Sequence, residues 1–177
     1  MVEVGAGPVD FYSMSRHFID SGWRAILIEP NPKFVAAHKK LGHEIYEYAC
    51  SSSNADDVAF NICSSGWGVE HDGISYSSLG NRYLDSDRFS QSQIKVAVRT
   101  LNHILSITNV EAVDFVSVDV EGWELDVMRG FDVHKYNPKV IVLENVQGDP
   151  KYVDYMDGVG YKLDCVRGIN YIFSKAK

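Results

Sequence analysis

The chain has 177 residues, 45% of them apolar and 23% charged, with 24 acidic residues against 17 basic ones and a formal net charge of −7. That size and balance suit one soluble globular domain, and the absence of any basic run counts against nucleic acid and anionic membrane as partners. Cys50, Cys63 and Cys165 are few, scattered and without a CxxC pair, which argues against a metal centre or a disulfide framework and for a reducing cytoplasm, and no apolar run reaches the length of a membrane span.

Val2 to Gly5 reads as a short strand leading into a glycine-rich turn. Phe11 to Ser21 has helical spacing through Phe11, Met14, Phe18 and Ile19, with Gly22 as its stop. Ala25 to Ile28 is continuously apolar, as in a strand covered on both faces. Pro30-Asn31-Pro32 opens a second helix that Gly42 ends, and His43 to Tyr48 alternates as a third strand. Strand, helix, strand, helix, strand within fifty residues predicts a parallel sheet with right-handed crossovers.

Val58 to Cys63 reads as a further strand. Residues 64–92 are rich in Ser, Gly and Asn, and a structureless stretch of that length inside a domain is usually functional. Ile94 to Leu101 alternates as a strand, and Asn102 to Ile107 follows as a short helix. Val113 to Asp119 is an apolar strand that ends on an acid, followed by a helix from Trp123 to Arg129 closed by Gly130. Val140 to Leu143 is another apolar strand, ending on Glu144-Asn145. After a short helix from Tyr152 to Met156, Gly160–Val166 and Tyr171–Ser174 predict a closing hairpin across Arg167-Gly168-Ile169-Asn170. The fold class is therefore α/β, as a single domain over 1–177 with an irregular 64–92 insertion.

Three motifs carry chemistry. In Glu3-Val4-Gly5-Ala6-Gly7-Pro8 a strand runs into glycines that let backbone approach a ligand closely. A dinucleotide fingerprint needs a third glycine where Asp10 stands, and Glu3 suits a ligand with an ammonium group; a tight turn with an incidental acid is the plainer alternative. Glu29, at the tip of the second strand before Pro30-Asn31-Pro32, is placed to accept ribose hydroxyls, against the alternative of a solvated strand-end acid. Asp119, Glu121 and Glu124 cluster where an apolar strand meets a helix, and desolvating acids is costly enough to need a reason. For Glu124 the bland reading, a favourable helix N-terminal residue, is preferred.

Taken together the chain resembles the FkbM family of S-adenosylmethionine-dependent methyltransferases. The resemblance rests on Glu3-Val4-Gly5-Ala6, Glu29-Pro30-Asn31-Pro32, Ser77-Ser78-Leu79, Arg99-Thr100-Leu101-Asn102, and Asp119 to Leu125 with Arg129-Gly130, in that order over nearly the whole chain. It departs from the family at Gly7-Pro8-Val9 and in opening almost on the first strand, so a fragment, or a non-catalytic cofactor-binding copy, is the alternative reading. The resemblance implies a three-layer, Rossmann-like methyltransferase fold, with a mostly parallel seven-stranded sheet whose last strand is antiparallel. It implies S-adenosyl-L-methionine as cofactor, held by Glu3, Gly5, Ala6, Gly7, Glu29, Pro30, Asn31 and Asp119, with Cys50 and Ser51 near the adenine by analogy of fold. It also implies O-methylation of a sugar or other small hydroxylated metabolite.

For such a transfer the protein aligns a hydroxyl with the methyl group and takes its proton. Asp119 and Glu121 are the candidate catalytic residues, with His71 and His103 as outsiders. Trp67, Tyr76, Tyr83 and Phe89 serve either to stack on a ligand or to anchor their loop. A nicotinamide oxidoreductase is disfavoured by Asp10, and a nucleic-acid methyltransferase by the charge.

Overall fold

The computed structural model describes residues 1–9, 13–65, 77–79 and 89–176. In chain order the elements are β1 (Val2–Val4), α1 (Ser15–Asp20), β2 (Ile26–Ile28), α2 (Pro32–Lys40), β3 (Ile45–Tyr46), β4 (Ala49–Cys50), β5 (Ala55–Ser65), β6 (Phe89–Arg99), α3 (Leu101–Ile107), β7 (Phe115–Val118), α4 (Glu124–Arg129), α5 (Val133–Tyr136), β8 (Val140–Glu144), α6 (Lys151–Gly158), β9 (Tyr161–Arg167) and β10 (Asn170–Lys175). Seven of the strands form one sheet in the order β3-β2-β1-β7-β8-β10-β9. β1 pairs in parallel with both β2 and β7, and β7 with β8. β10 runs antiparallel to β8 and β9. This is the mostly parallel, seven-stranded arrangement with an antiparallel closing strand that the resemblance implied.

Alternation within the strands assigns the two faces. Val2, Val4, Ile26, Ile28, Val116, Val118, Ile141 and Leu143 point into one core, filled by Leu101 and Ile104 of α3, Met128 of α4, Tyr136 of α5 and Met156 of α6. Leu27 points the other way, into a smaller cluster where Phe18 and Ile19 of α1 pack with Phe115. Helices thus flank both faces, as right-handed crossovers require when the chain leaves β1 in one direction and returns to β7 in the other. Local sequence sets the helix starts. Asn31 caps α2 by accepting from the Lys33 N–H, with Pro32 in the first turn, and Thr100 caps α3 by accepting from the His103 N–H.

The remaining three strands make a second sheet, β4-β6-β5. The expected strands at 58–63 and 94–101 are the middles of two eleven-residue strands paired antiparallel. Residues 64–65 and 89–92, expected to be irregular, are thus strand, and Leu101 belongs to α3 rather than to the strand before it. Their side chains are mostly Ser and Gln, and backbone pairing requires no apolar alternation there. Phe60, Val96, Val98 and Ala49 form this sheet's own core. The expected third strand over 43–48 shortens to β3, and β4 and α5 appear where no element was expected. Phe11, Asp10, Trp67, His71, Tyr76 and Tyr83, and the side chain of Phe89, lie outside the described residues. Among the described residues no helix is long and apolar enough to cross a membrane.

Candidate functional site

The strand order reverses between β1 and β7, and in open α/β sheets ligands bind at the carboxyl ends of strands at such a switch point. A cavity of about 590 Å³ opens there. Its floor is the turn after β1. Gly5 has φ +83°, and a Cβ on it would lie 1.8 Å from the Asp119 carbonyl oxygen. Only glycine lets β1 and β7 close up at this point. The Gly5 and Ala6 N–H groups both donate to the Ile28 carbonyl, and Gly7 faces open space.

Two acids hold this turn and the start of α1. Glu3, buried in the middle of β1, accepts from the backbone N–H groups of Met14 (2.9 Å) and Ser15 (3.1 Å). It does the work of a cap for α1, whose own Met14 side chain makes no cap bond. Glu29, just past β2, accepts from Gly7 N–H (3.0 Å) through one oxygen and from Asn31 N–H (2.8 Å) through the other. Burial pushes both carboxyls up to about 7, only partly offset by their hydrogen bonds. Gly7 is gripped a second time. His38 lies 3.0 Å from its carbonyl through Nε2 and 3.0 Å from His43 Nδ1 through its own Nδ1. A carbonyl only accepts, so His38 carries its proton on Nε2 and accepts from His43.

The far wall carries the second group of acids. Asp119, Glu121 and Glu144 offer carboxylate oxygens within 4.8 Å of one another, a spacing that can hold a metal ion, although acids also gather this way without one. Asp119 opens onto the cavity while protein encloses its other sides. Desolvation and the neighbouring Glu124 charge raise its carboxyl to about 6, against a hydrogen bond with Glu144 that lowers it. Glu121 has φ +58° and Gly122 φ +101°, two successive residues in conformations that side chains disfavour. Glu124 holds them there. It is buried, accepts from Val120 N–H (3.1 Å) and Gly122 N–H (2.9 Å), and receives the Tyr152 hydroxyl at 2.5 Å. The bland reading of Glu124 as a favourable N-terminal residue is therefore too weak: it positions the acid-bearing turn.

The cavity brings together Glu3, Gly5, Ala6, Gly7, Glu29, Pro30, Cys50, Asp119 and Glu121. Two expected ligands stand elsewhere. Asn31 directs its side chain to the start of α2, and Ser51 packs its carbonyl where a Cβ on Gly130 would come within 2.4 Å. Neither is among the described residues lining the cavity. Cys50 is, with its thiol pushed up by burial. His103 lies on α3, likewise outside the described lining. Phe60 of β5 also lines the cavity, with Ser77 and Leu79 on either side of the Asn61–Ser78 bridge. Trp123 also lines the cavity, with its indole N–H buried and without an acceptor among the described residues. Sequence reasoning missed Glu144, Tyr152 and His38, and it gave Glu124 too small a role. Only Glu144 carried a signal, an acid ending an apolar strand as Asp119 does.

Among families of known proteins, the methyltransferase FkbM domain matches residues 3–163. No curated protein and no solved structure gives a significant match.

Proposed function

The chain belongs to the FkbM methyltransferase family, and from that premise we propose that it transfers a methyl group from S-adenosyl-L-methionine to a hydroxyl of a small metabolite. One observation carries this reading: a glycine turn, a buried strand-tip acid and a group of carboxylates line one cavity at the switch point of the sheet. The residues present fit the cofactor. Each oxygen of Glu29 accepts one backbone N–H and retains a lone pair for a ribose hydroxyl. The open space at Gly7 admits a ligand against backbone. The acids of the cavity suit a ligand bearing a sulfonium and an ammonium group. When bound, that cofactor would supply an electrophilic methyl group whose carbon–sulfur bond breaks with its electron pair left on sulfur.

The chain's own residues then orient and deprotonate the acceptor. Asp119, raised to about 6, is a stronger base than an ordinary carboxylate yet still mostly ionised at neutral pH, the compromise that general-base catalysis favours. Glu121, fixed by Glu124 in its left-handed conformation, is the second candidate to receive the hydroxyl proton. The cavity lining of Phe60 and Leu79 limits water around the reacting oxygen.

Calorimetric titration with S-adenosylmethionine and S-adenosylhomocysteine, with NAD as control, tests the proposal. Micromolar binding of the first two and none of NAD supports it. Binding of NAD alone returns the site to nicotinamide chemistry. Cofactor binding without turnover on any hydroxylated acceptor favours a non-catalytic member of the family.

A further inference from the structure

The cavity extends past the cofactor residues to the turn between β9 and β10, where Arg167, Gly168, Ile169 and Asn170 line it. This turn is fixed to the end of β8, because the Asn145 N–H donates to the Ile169 carbonyl at 2.8 Å. Strands lie about 4.8 Å apart, and β10 is three places from β1 in the sheet. Arg167 itself ends β9, one place further, so this end of the cavity stands roughly 14–19 Å across the sheet from the glycine turn, on the side left for an acceptor.

Charge is divided along that length. The described lining carries five acids, Glu3, Glu29, Asp119, Glu121 and Glu144, and a single cation, Arg167. The other described arginines each face a carboxylate: Arg16 with Asp20, Arg24 with Glu44, Arg99 with Asp56 and Arg129 with Asp126. Arg167 is the exception: it is exposed, and its side chain makes neither an ion pair nor a hydrogen bond among the described residues. A guanidinium is a donor only, in a planar fork that matches carboxylate and phosphate oxygens. Beside it Ile169 lines the cavity while 43% exposed, and Val146, next to Asn145, is 45% exposed. An apolar rim thus adjoins the unpaired cation.

We propose that Arg167 determines acceptor specificity, and that the acceptor is a hydroxylated oxyanion, presenting a carboxylate or phosphate to Arg167 and its hydroxyl to Asp119 and Glu121. The inference rests on the methyltransferase reading of the cavity. Asp119 follows β7 and Arg167 ends β9, three places further along the sheet, so their backbones stand about 14 Å apart; less the reach of the two side chains, hydroxyl and oxyanion are separated by on the order of 5–10 Å. That span fits a sugar acid or sugar phosphate, with any apolar substituent lying over Ile169 and Val146.

The test uses the full chain loaded with S-adenosylhomocysteine and two matched pairs of probes at millimolar concentration. Phenyl β-D-glucuronide against phenyl β-D-glucoside tests a carboxylate, and glucose 6-phosphate against glucose tests a phosphate. In at least one pair the anion is expected to bind about tenfold tighter, the scale of one charge-assisted contact in a partly open site. R167Q should reduce it to the level of its neutral partner, and R167K should retain part of the preference. Affinity for S-adenosylhomocysteine should be the same in R167Q as in the unaltered chain. Equal binding within both pairs, no binding of either anion, or a preference that survives in R167Q overturns the proposal. Failure to load S-adenosylhomocysteine at all would instead refute the methyltransferase reading.

Discussion

The acids of β1 and β2 and those at the ends of β7 and β8 line one cavity and do different work. Glu3 and Glu29 direct their oxygens to backbone N–H groups of Met14, Ser15, Gly7 and Asn31. They shape a turn. Asp119, Glu121 and Glu144 gather instead within 4.8 Å of one another, and the backbone N–H groups nearby are satisfied by Glu124, one step removed from the cavity. The contrast teaches that a strand-tip carboxylate is read by what it accepts from. One that accepts backbone N–H groups builds a cradle, and one gathered with other carboxylates on a cavity wall faces a ligand.

Removing a cradle acid should have the largest effect. Glu29→Ala leaves the half-buried Gly7 N–H and the buried Asn31 N–H without their acceptor, at about 1–3 kcal/mol for the buried group. Urea unfolding should register that loss, and calorimetry should register loss of S-adenosylhomocysteine binding. Unchanged stability would show that the cradle is not held by Glu29. A strand-tip acid in this position is part of the fold, contrary to what its place at the end of a strand suggests.

Asp119→Asn should act in the opposite pattern. The fold and thermal midpoint stay within experimental error, while turnover on a working acceptor falls by about 10²–10⁴, the usual contribution of a general base. Full activity would remove Asp119 from the reaction. Glu124→Gln keeps the shape of the side chain and removes its charge. It should slow turnover by about tenfold, equivalent to some 1.4 kcal/mol, through loosening of the Val120–Gly122 turn, with cofactor affinity little changed. If it weakens cofactor binding as strongly as Glu29→Ala, the two regions are not separate in function.

A separate readout is the pH dependence of stability. Glu3 and Glu29 are raised from the ordinary 4.5 to about 7. The folded chain therefore binds their protons more tightly than the unfolded chain. Their contribution favours folding fully below about pH 4.5 and is lost as pH rises through 7. Thermal unfolding between pH 5 and pH 8 should show the unaltered chain losing this part of its stability, and Glu3→Gln should flatten the slope. An identical slope in the variant would place the Glu3 titration outside that window.

The parts legible from sequence were those with local signals. The apolar runs of β2, β7 and β8 announce strands covered on both faces, and the acids ending β2 and β7 announce a site. What stayed hidden was short or long-range. β4 has two residues and α5 four, too few for any period to show. The Tyr152–Glu124 and His38–Gly7 contacts act across 28 and 31 residues of chain, and no spacing reveals such partners. Several family signatures proved to be fastenings. Arg99 donates to the Ala55 carbonyl and to Asp56, Asn102 accepts from Asp132 N–H, and Gly130 makes room for the Ser51 carbonyl. A motif held in order along the chain marks a family without marking which of its residues touch a ligand.

The most direct test of the account is a crystal structure of the chain with S-adenosylhomocysteine. Ribose hydroxyls are expected on Glu29, the homocysteine end over the Gly5–Gly7 turn, and the sulfur directed toward Asp119 and Glu121, with the Arg167 end of the cavity open. A ligand bound away from the β1–β7 switch point, or one contacting neither Glu29 nor the glycine turn, would contradict it.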